Sequence, residues 1–186
     1  QFSSVTYYGV RFFNYNEALL YQTFVQSGST VTYSGSTPTK PNSTLYMGDG
    51  TTEQGYRVYT FSTWDKTLTN VQSYLTVHPQ YSTVDYYVVI FANYDNTVLL
   101  NTYIRSGLTA TYSGDMPTRA YDAVNHIMYT FNGWSPNINS AITNKTTFIA
   151  QYNNITWYLP ELANDILTIR SAYNVTANQD GSITIE

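Results

Sequence analysis

The side chains equipped for chemistry are few and scattered. The two histidines, His78 and His126, lie far apart, and no His-x-x-x-His spacing sets a ligand pair on one helical face. His126 follows Asn125 and reads as a surface side chain in a loop. Cysteine is absent, which excludes a disulfide framework, thiol nucleophiles and thiolate zinc sites. Asp49-Gly50 looks like a piece of a calcium loop, but the other spaced carboxylates are missing, so turn chemistry accounts for it. Glycoside hydrolysis needs two carboxylates across one cleft, and nothing in the spacing of Glu53 and Asp65 brings them together. No Gly-x-Ser-x-Gly or phosphate-cradling loop occurs. These residues predict no catalytic set, no cofactor and no metal.

Residues suited to recognition are more numerous. Trp64 and Trp134 each end an apolar strand motif. They read as the large core aromatic of a small domain, with a sugar-stacking platform as the other reading. Tyr15 and Tyr94 sit in the first hairpin turns; they read as ordinary exposed side chains of a Tyr-rich chain, with partner binding by a stiff ring with one polar tip as the other reading. Trp157 and Tyr158 lie where the chain enters its C-terminal segment and read as interdomain packing or a ligand contact. The three lysines, Lys40, Lys66 and Lys145, fall in loops, which disfavours an internal Lys–Asn isopeptide bond. Asn-x-Ser/Thr sequences at Asn42, Asn144, Asn154 and Asn174 carry no signal in a chain so rich in these residue types.

The elements that must position these groups are β-rich. Of 186 residues, 42% are hydrophobic and 17% aromatic, with 20 tyrosines; Tyr, Thr and Val suit half-buried pleated surfaces. Only 11% are charged, with 8 Lys plus Arg and a net charge of −4. That balance lacks the cationic field a phosphate backbone attracts, so nucleic acid is not an expected partner. No apolar run is long enough for a membrane span. No N-terminal signal segment is visible, and the chain reads as a mature product or a piece of something larger.

One phrase is written twice. SSVTYYGVRFFNYNEALLYQTFVQSGSTVTYSGSTPT from Ser3 aligns without a gap to STVDYYVVIFANYDNTVLLNTYIRSGLTATYSGDMPT from Ser82, with about half the positions identical. Tyr59–Trp64 (YTFSTW) answers Tyr129–Trp134 (YTFNGW), and each copy closes on Gln-Tyr, at Tyr81 and Tyr152. This predicts two small domains of one kind, 1–81 and 82–152. The link between Tyr81 and the strand at Val84 is short, so the pair is expected to be stiff. In each copy a period-two strand (Val5–Phe13, Val84–Ala92) runs into an Asn/Asp turn and a second strand (Ala18–Val25, Thr97–Ile104), which is a hairpin pattern. Thr30–Tyr33 and Thr109–Tyr112 read as short extended pieces. Tyr56–Phe61 and Ile127–Phe131, then Tyr74–Val77 and Thr147–Ala150, read as later strands. The extra residues of the first copy, Leu45–Gly55, read as a longer surface loop. Phe12, Phe91, Phe61, Phe131, Trp64 and Trp134 are the expected core. Residues 153–186 match neither copy. Leu159, Leu162, Ile166, Ile169 and Tyr173 predict a helix at about 160–172, with a strand at Ile166–Arg170 as the alternative. A hairpin follows at about 173–186 around Asn-Gln-Asp-Gly. The segment opens a third module or packs on the second, and its apolar stripe could mediate homo-oligomerisation.

The order of these elements resembles the internalin-type B-repeat, also called the Listeria–Bacteroides repeat. The second copy carries the resemblance best, in Val89-Ile-Phe-Ala-Asn, Ser106-Gly107, Pro117, Tyr129–Trp134 and Thr146–Tyr152. The first copy departs from it with Thr63 in place of glycine and His78-Pro79 where the last strand runs on. The resemblance covers about four-fifths of the chain. It implies a mostly β, α+β fold of β-grasp type, in tandem, on bacterial surface proteins or phage virion proteins. It implies a non-catalytic structural or adhesion module, extracellular or on a virion surface. A head fibre, decoration or tail component is the first expectation; a bacterial cell-wall adhesin spacer and a carbohydrate-binding module are the alternatives. The implied partners are other structural proteins of the assembly, or a cell-surface protein or glycan.

Overall fold

The computed structural model describes residues 3–156, 175–177 and 183–185. Nine strands run through the first of these stretches: β1 (Tyr7–Phe13), β2 (Leu19–Gln26), β3 (Ser43–Tyr46), β4 (Glu53–Trp64), β5 (Leu75–Val77), β6 (Pro79–Ala92), β7 (Val98–Arg105), β8 (Ile127–Ser135) and β9 (Thr146–Thr156). Two short strands, β10 (Val175–Ala177) and β11 (Ile183–Ile185), pair antiparallel where the C-terminal hairpin was expected. The described residues are mostly β and contain no helix. The helix expected at 160–172 lies outside them.

The chain divides into two compact units, one of Gln1–Val88, Tyr103–Leu108 and Ala141–Lys145, the other of Val89–Thr102, Thr109–Ser140 and Thr146–Glu186. The boundary read at 81/82 falls inside β6, which continues from the end of one copy into the start of the next. In the first unit β1 and β2 form the expected hairpin. Its turn closes because Glu17 takes a positive φ of 63° and the Asn14 amide donates to the Ala18 carbonyl. β5 runs parallel to β1 along Val10–Phe12. Alternation along β1 turns Val10 and Phe12 inward, where both are fully buried with Val31, Val71 and Val77. Tyr33, Trp64, Leu68 and Leu75 pack around that cluster. Thr30–Tyr33 is not a strand; it is held instead by the Val31 amide donating to the Leu68 carbonyl.

The stretch Leu45–Gly55, expected to be a surface loop, is largely a hairpin. β3 pairs with β4, and only the turn between them matches the expectation. Asp49 builds that turn, accepting from the amides of Thr51 and Thr52 and from the Thr52 hydroxyl. These donors hold its carboxyl down at about 2. β4 then pairs antiparallel with β6, from Gly55 opposite Tyr87 to Trp64 opposite Pro79.

In the second unit Val89–Ala92 of β6 run parallel to Thr146–Ile149 of β9, and β8 pairs antiparallel with β9. Phe91 is fully buried and stacks on Phe148 at 5.0 Å between ring centroids. His78-Pro79 does interrupt the first copy at the point of its departure from the repeat pattern. β5 stops at Val77 and β6 starts at Pro79, whereas β9 runs unbroken through the corresponding stretch. His78 is fastened there by its backbone amide, which donates a hydrogen bond to Asp65 Oδ1 (2.7 Å), and by stacking on Phe13.

Candidate functional site

The turn after the first strand of each copy presents a tyrosine, and in each copy that tyrosine joins the same constellation. Tyr15 and Tyr94 are exposed, at 43% and 41%. Beside Tyr94, the Arg119 guanidinium lies 4.4 Å from its ring centroid and 3.7 Å from that of Tyr129. Beside Tyr15, the Lys40 ammonium lies 5.9 Å from its ring and 4.0 Å from that of Tyr59. A cation over an aromatic face is attracted by the ring quadrupole, so one charge holds two rings in each copy. A third tyrosine closes each group. The Tyr81 hydroxyl donates to Asn14 Oδ1 (3.0 Å) and the Tyr152 hydroxyl to Asn93 Oδ1 (2.6 Å). Burial pushes both phenols above their ordinary range. Tyr152 also meets Tyr94 edge-on at 5.9 Å.

Local chain geometry explains the placement. Tyr59 and Tyr129 stand on β4 and β8, and Tyr81 and Tyr152 on β6 and β9. The cations arrive on the loop that follows the repeated phrase. That loop is shaped by Tyr33 and Tyr112, whose hydroxyls donate to the carbonyls of Ser36 (2.6 Å) and Asp115 (2.9 Å). Each phenol crosses a glycine, Gly35 or Gly114, where any Cβ would collide with it. The repeated Tyr-Ser-Gly is therefore a loop closure, and the buried Pro38 and Pro117 set Lys40 and Arg119 two residues on. Asn93 adds a second tie, donating from Nδ2 to the Thr118 carbonyl.

Sequence reading found Tyr15 and Tyr94 but missed Lys40, Arg119, Tyr59, Tyr129, Tyr81 and Tyr152. A signal was present: Pro-Thr-Lys at 38–40 answers Pro-Thr-Arg at 117–119, keeping a cation at one place in both copies. Trp157 and Tyr158 lie outside the described residues. Trp64 and Trp134 are half-buried, and their rings meet Phe12 and Phe91 edge-on at 4.9 Å. Phe12 and Phe91 are fully buried, while Phe61 and Phe131 are half-buried.

The remaining chemical groups serve separate ends. Glu53 opens β4 and Asp65 follows its last residue; at roughly 3.4 Å per residue a strand of that length holds them about 40 Å apart. Glu53 accepts from the Tyr103 hydroxyl and Asp65 from the His78 amide. His126 sits at a positive φ of 55° with Nδ1 3.0 Å from the Tyr121 hydroxyl. Among the described residues no three His, Cys, Asp or Glu side chains gather as metal ligands. Among those residues, too, no helix is long and apolar enough to cross a membrane. Compared with family models, curated proteins and solved structures, the chain matches none of them.

Proposed function

We propose that the chain is a non-catalytic structural and adhesion module of a surface-exposed assembly, of the phage-virion kind, with a bacterial cell-wall adhesin as its other setting. The observation that carries this is the duplicated tyrosine–cation patch. Two copies of one sequence pattern each present an exposed turn tyrosine beside a held cation. Exposed tyrosine rings suit the C–H faces of sugars, and the neighbouring cation suits a carboxylate or phosphate on them. An anionic cell-surface glycan is thus the partner the patch fits best. The resemblance to B-repeats supplies the setting. Its β-grasp character is supported by a hairpin with a later strand parallel to its first, β2-β1-β5, and by the matching relation of β7, β6 and β9.

The test is binding of the full chain to neutral and anionic cell-wall glycans, compared with a Tyr15→Ala/Tyr94→Ala variant. The expected result is preference for anionic glycans, with binding reduced at least tenfold in the variant. Undiminished binding, or no binding to any glycan by the unaltered chain, would sink the reading.

A further inference from the structure

The two copies differ in what covers the outer face of their first hairpin. In the second copy that face carries Tyr86 on β6 and Tyr103 on β7, the latter 44% exposed, and β4 of the first copy pairs alongside β6 with Tyr56 opposite Tyr86. Tyr56 stacks on Tyr86 at 5.1 Å and 7°, and meets Tyr103 edge-on at 5.0 Å. The backbone joins in, since Gly55–Val58 pair with Val84–Tyr87 along the edge of β6. The fit depends on Gly55, where a Cβ would run into the Tyr86 carbonyl. Tyr103 donates to Glu53, and Arg57 grips Asp85 with two bonds of 2.7 and 2.9 Å.

Shifting by the 79-residue offset of the repeat gives the same face of the first copy: Tyr7 for Tyr86, Phe24 for Tyr103, and Gly9 for Val88. There the aromatic pair is bare. Tyr7 is 58% exposed, Phe24 69%, and the adjoining Tyr74 54%. Gly9 floors the gap between Phe24 and Tyr74, whose ring atoms stand 3.6 and 3.5 Å from the place a Cβ would take. The strand edge is bare as well. The Thr6 carbonyl turns toward β2, accepting from the Ser27 amide just as Asp85 accepts from Ser106. By alternation Val5 and Tyr7 turn their amides and carbonyls to the opposite edge. β5 reaches only Val10–Phe12 on that edge, and among the described residues β2, on the other edge, is the strand that pairs with Tyr7 and Tyr8.

We infer that this face is a docking site for the β3–β4-type hairpin of another module of the same repeat pattern. The occupant pairs with the Val5–Tyr8 edge, places a glycine opposite Tyr8, and stacks a tyrosine on Tyr7 against Phe24. The polar half of the internal contact has no counterpart: Thr6 replaces Asp85, and Phe24 has no hydroxyl to reach a carboxylate. Recognition here rests on strand addition and ring stacking. The inference stands on the comparison of the two faces and not on the proposed adhesion role.

The experiment appends the segment of residues 43–58 to the N-terminus of the full chain through a flexible Gly/Ser linker, which sets its effective concentration near the millimolar range. Amide hydrogen exchange is then read residue by residue. The expected result is exchange at Tyr7 slowed at least tenfold, lost when the appended glycine equivalent to Gly55 is replaced by valine. Unchanged exchange at Tyr7, relative to a linker carrying the scrambled segment, overturns the inference. So does protection confined to other strands.

Discussion

Gly55 is the residue on which the β4–β6 pairing turns. Its φ of 158° is one that side chains rarely adopt, and the space a side chain needs is taken by a backbone carbonyl, which cannot swing aside. Gly55→Ala should therefore cost about 2–3 kcal/mol, the usual penalty for overpacking without room to relax, read as a shifted urea midpoint with little change in slope. Two residues on, the Arg57–Asp85 pair offers a pH signature. Hydrogen bonds from Arg57 hold the Asp85 carboxyl below its ordinary range. The unfolded carboxyl titrates near about 3.9, so the pair's contribution is complete above that value and is lost as pH falls through the lower folded value. Arg57 and Asp85 remain 39% and 20% exposed, so solvent screens the pair and its worth stays below about 1 kcal/mol. Unfolding of Asp85→Asn and of the unaltered chain, followed from pH 7 to pH 2, should show a constant gap above about pH 4 that closes below it. A gap unchanged at pH 2 would remove the linkage from Asp85.

At the scale of elements, β4 and β8 bulge at the same place with different chemistry. The pairing register slips between Phe61 and Thr63 in one and between Phe131 and Gly133 in the other. Gly133 takes a φ of 106°, with nothing within 4 Å of a Cβ built there. The cost of a side chain is then conformational alone, and Gly133→Ala should lose about 1–2 kcal/mol. Thr63 has no positive φ, so Thr63→Gly gains no relief and should lose about 0.5–1 kcal/mol through backbone entropy. Opposite signs for the two substitutions, measured by thermal melts, would show the bulges to be interchangeable. The same strands show what the sequence makes legible. Period-two alternation and Asn/Asp turns are local, so β1, β2 and β7 are read nearly in place, while β6 begins at Pro79, ahead of the expected Val84. The β3–β4 hairpin is not, because Met-Gly-Asp-Gly-Thr-Thr has loop composition and its partner strand, β6, begins 15 residues after β4 ends. Likewise the turn position of Tyr15 and Tyr94 is visible in the chain, while the cations beside them arrive from a loop whose path depends on tyrosine closures across glycine.

For the whole molecule, duplication matters only if both patches reach the same ligand-bearing surface. Under the proposed adhesion role, a soluble monovalent glycan samples each patch separately. Removing one, by Tyr15→Ala or Tyr94→Ala, should then halve the stoichiometry measured by calorimetry and leave the affinity of the other patch unchanged. A dense surface lets the second contact form at an effective concentration set by the linkage, which raises avidity by about 10²–10⁴ without any new contact. Each single variant should therefore lose at least tenfold in retention on immobilised glycan, and the double variant should lose retention altogether. The two assays separate the alternatives. Equal, modest losses in both would mean that the patches act alone and that repetition serves length. A loss for one single variant only would assign recognition to that copy. In that case the cation contacts of the other copy act as a loop fastening, worth about 0.5–1 kcal/mol at an exposed site.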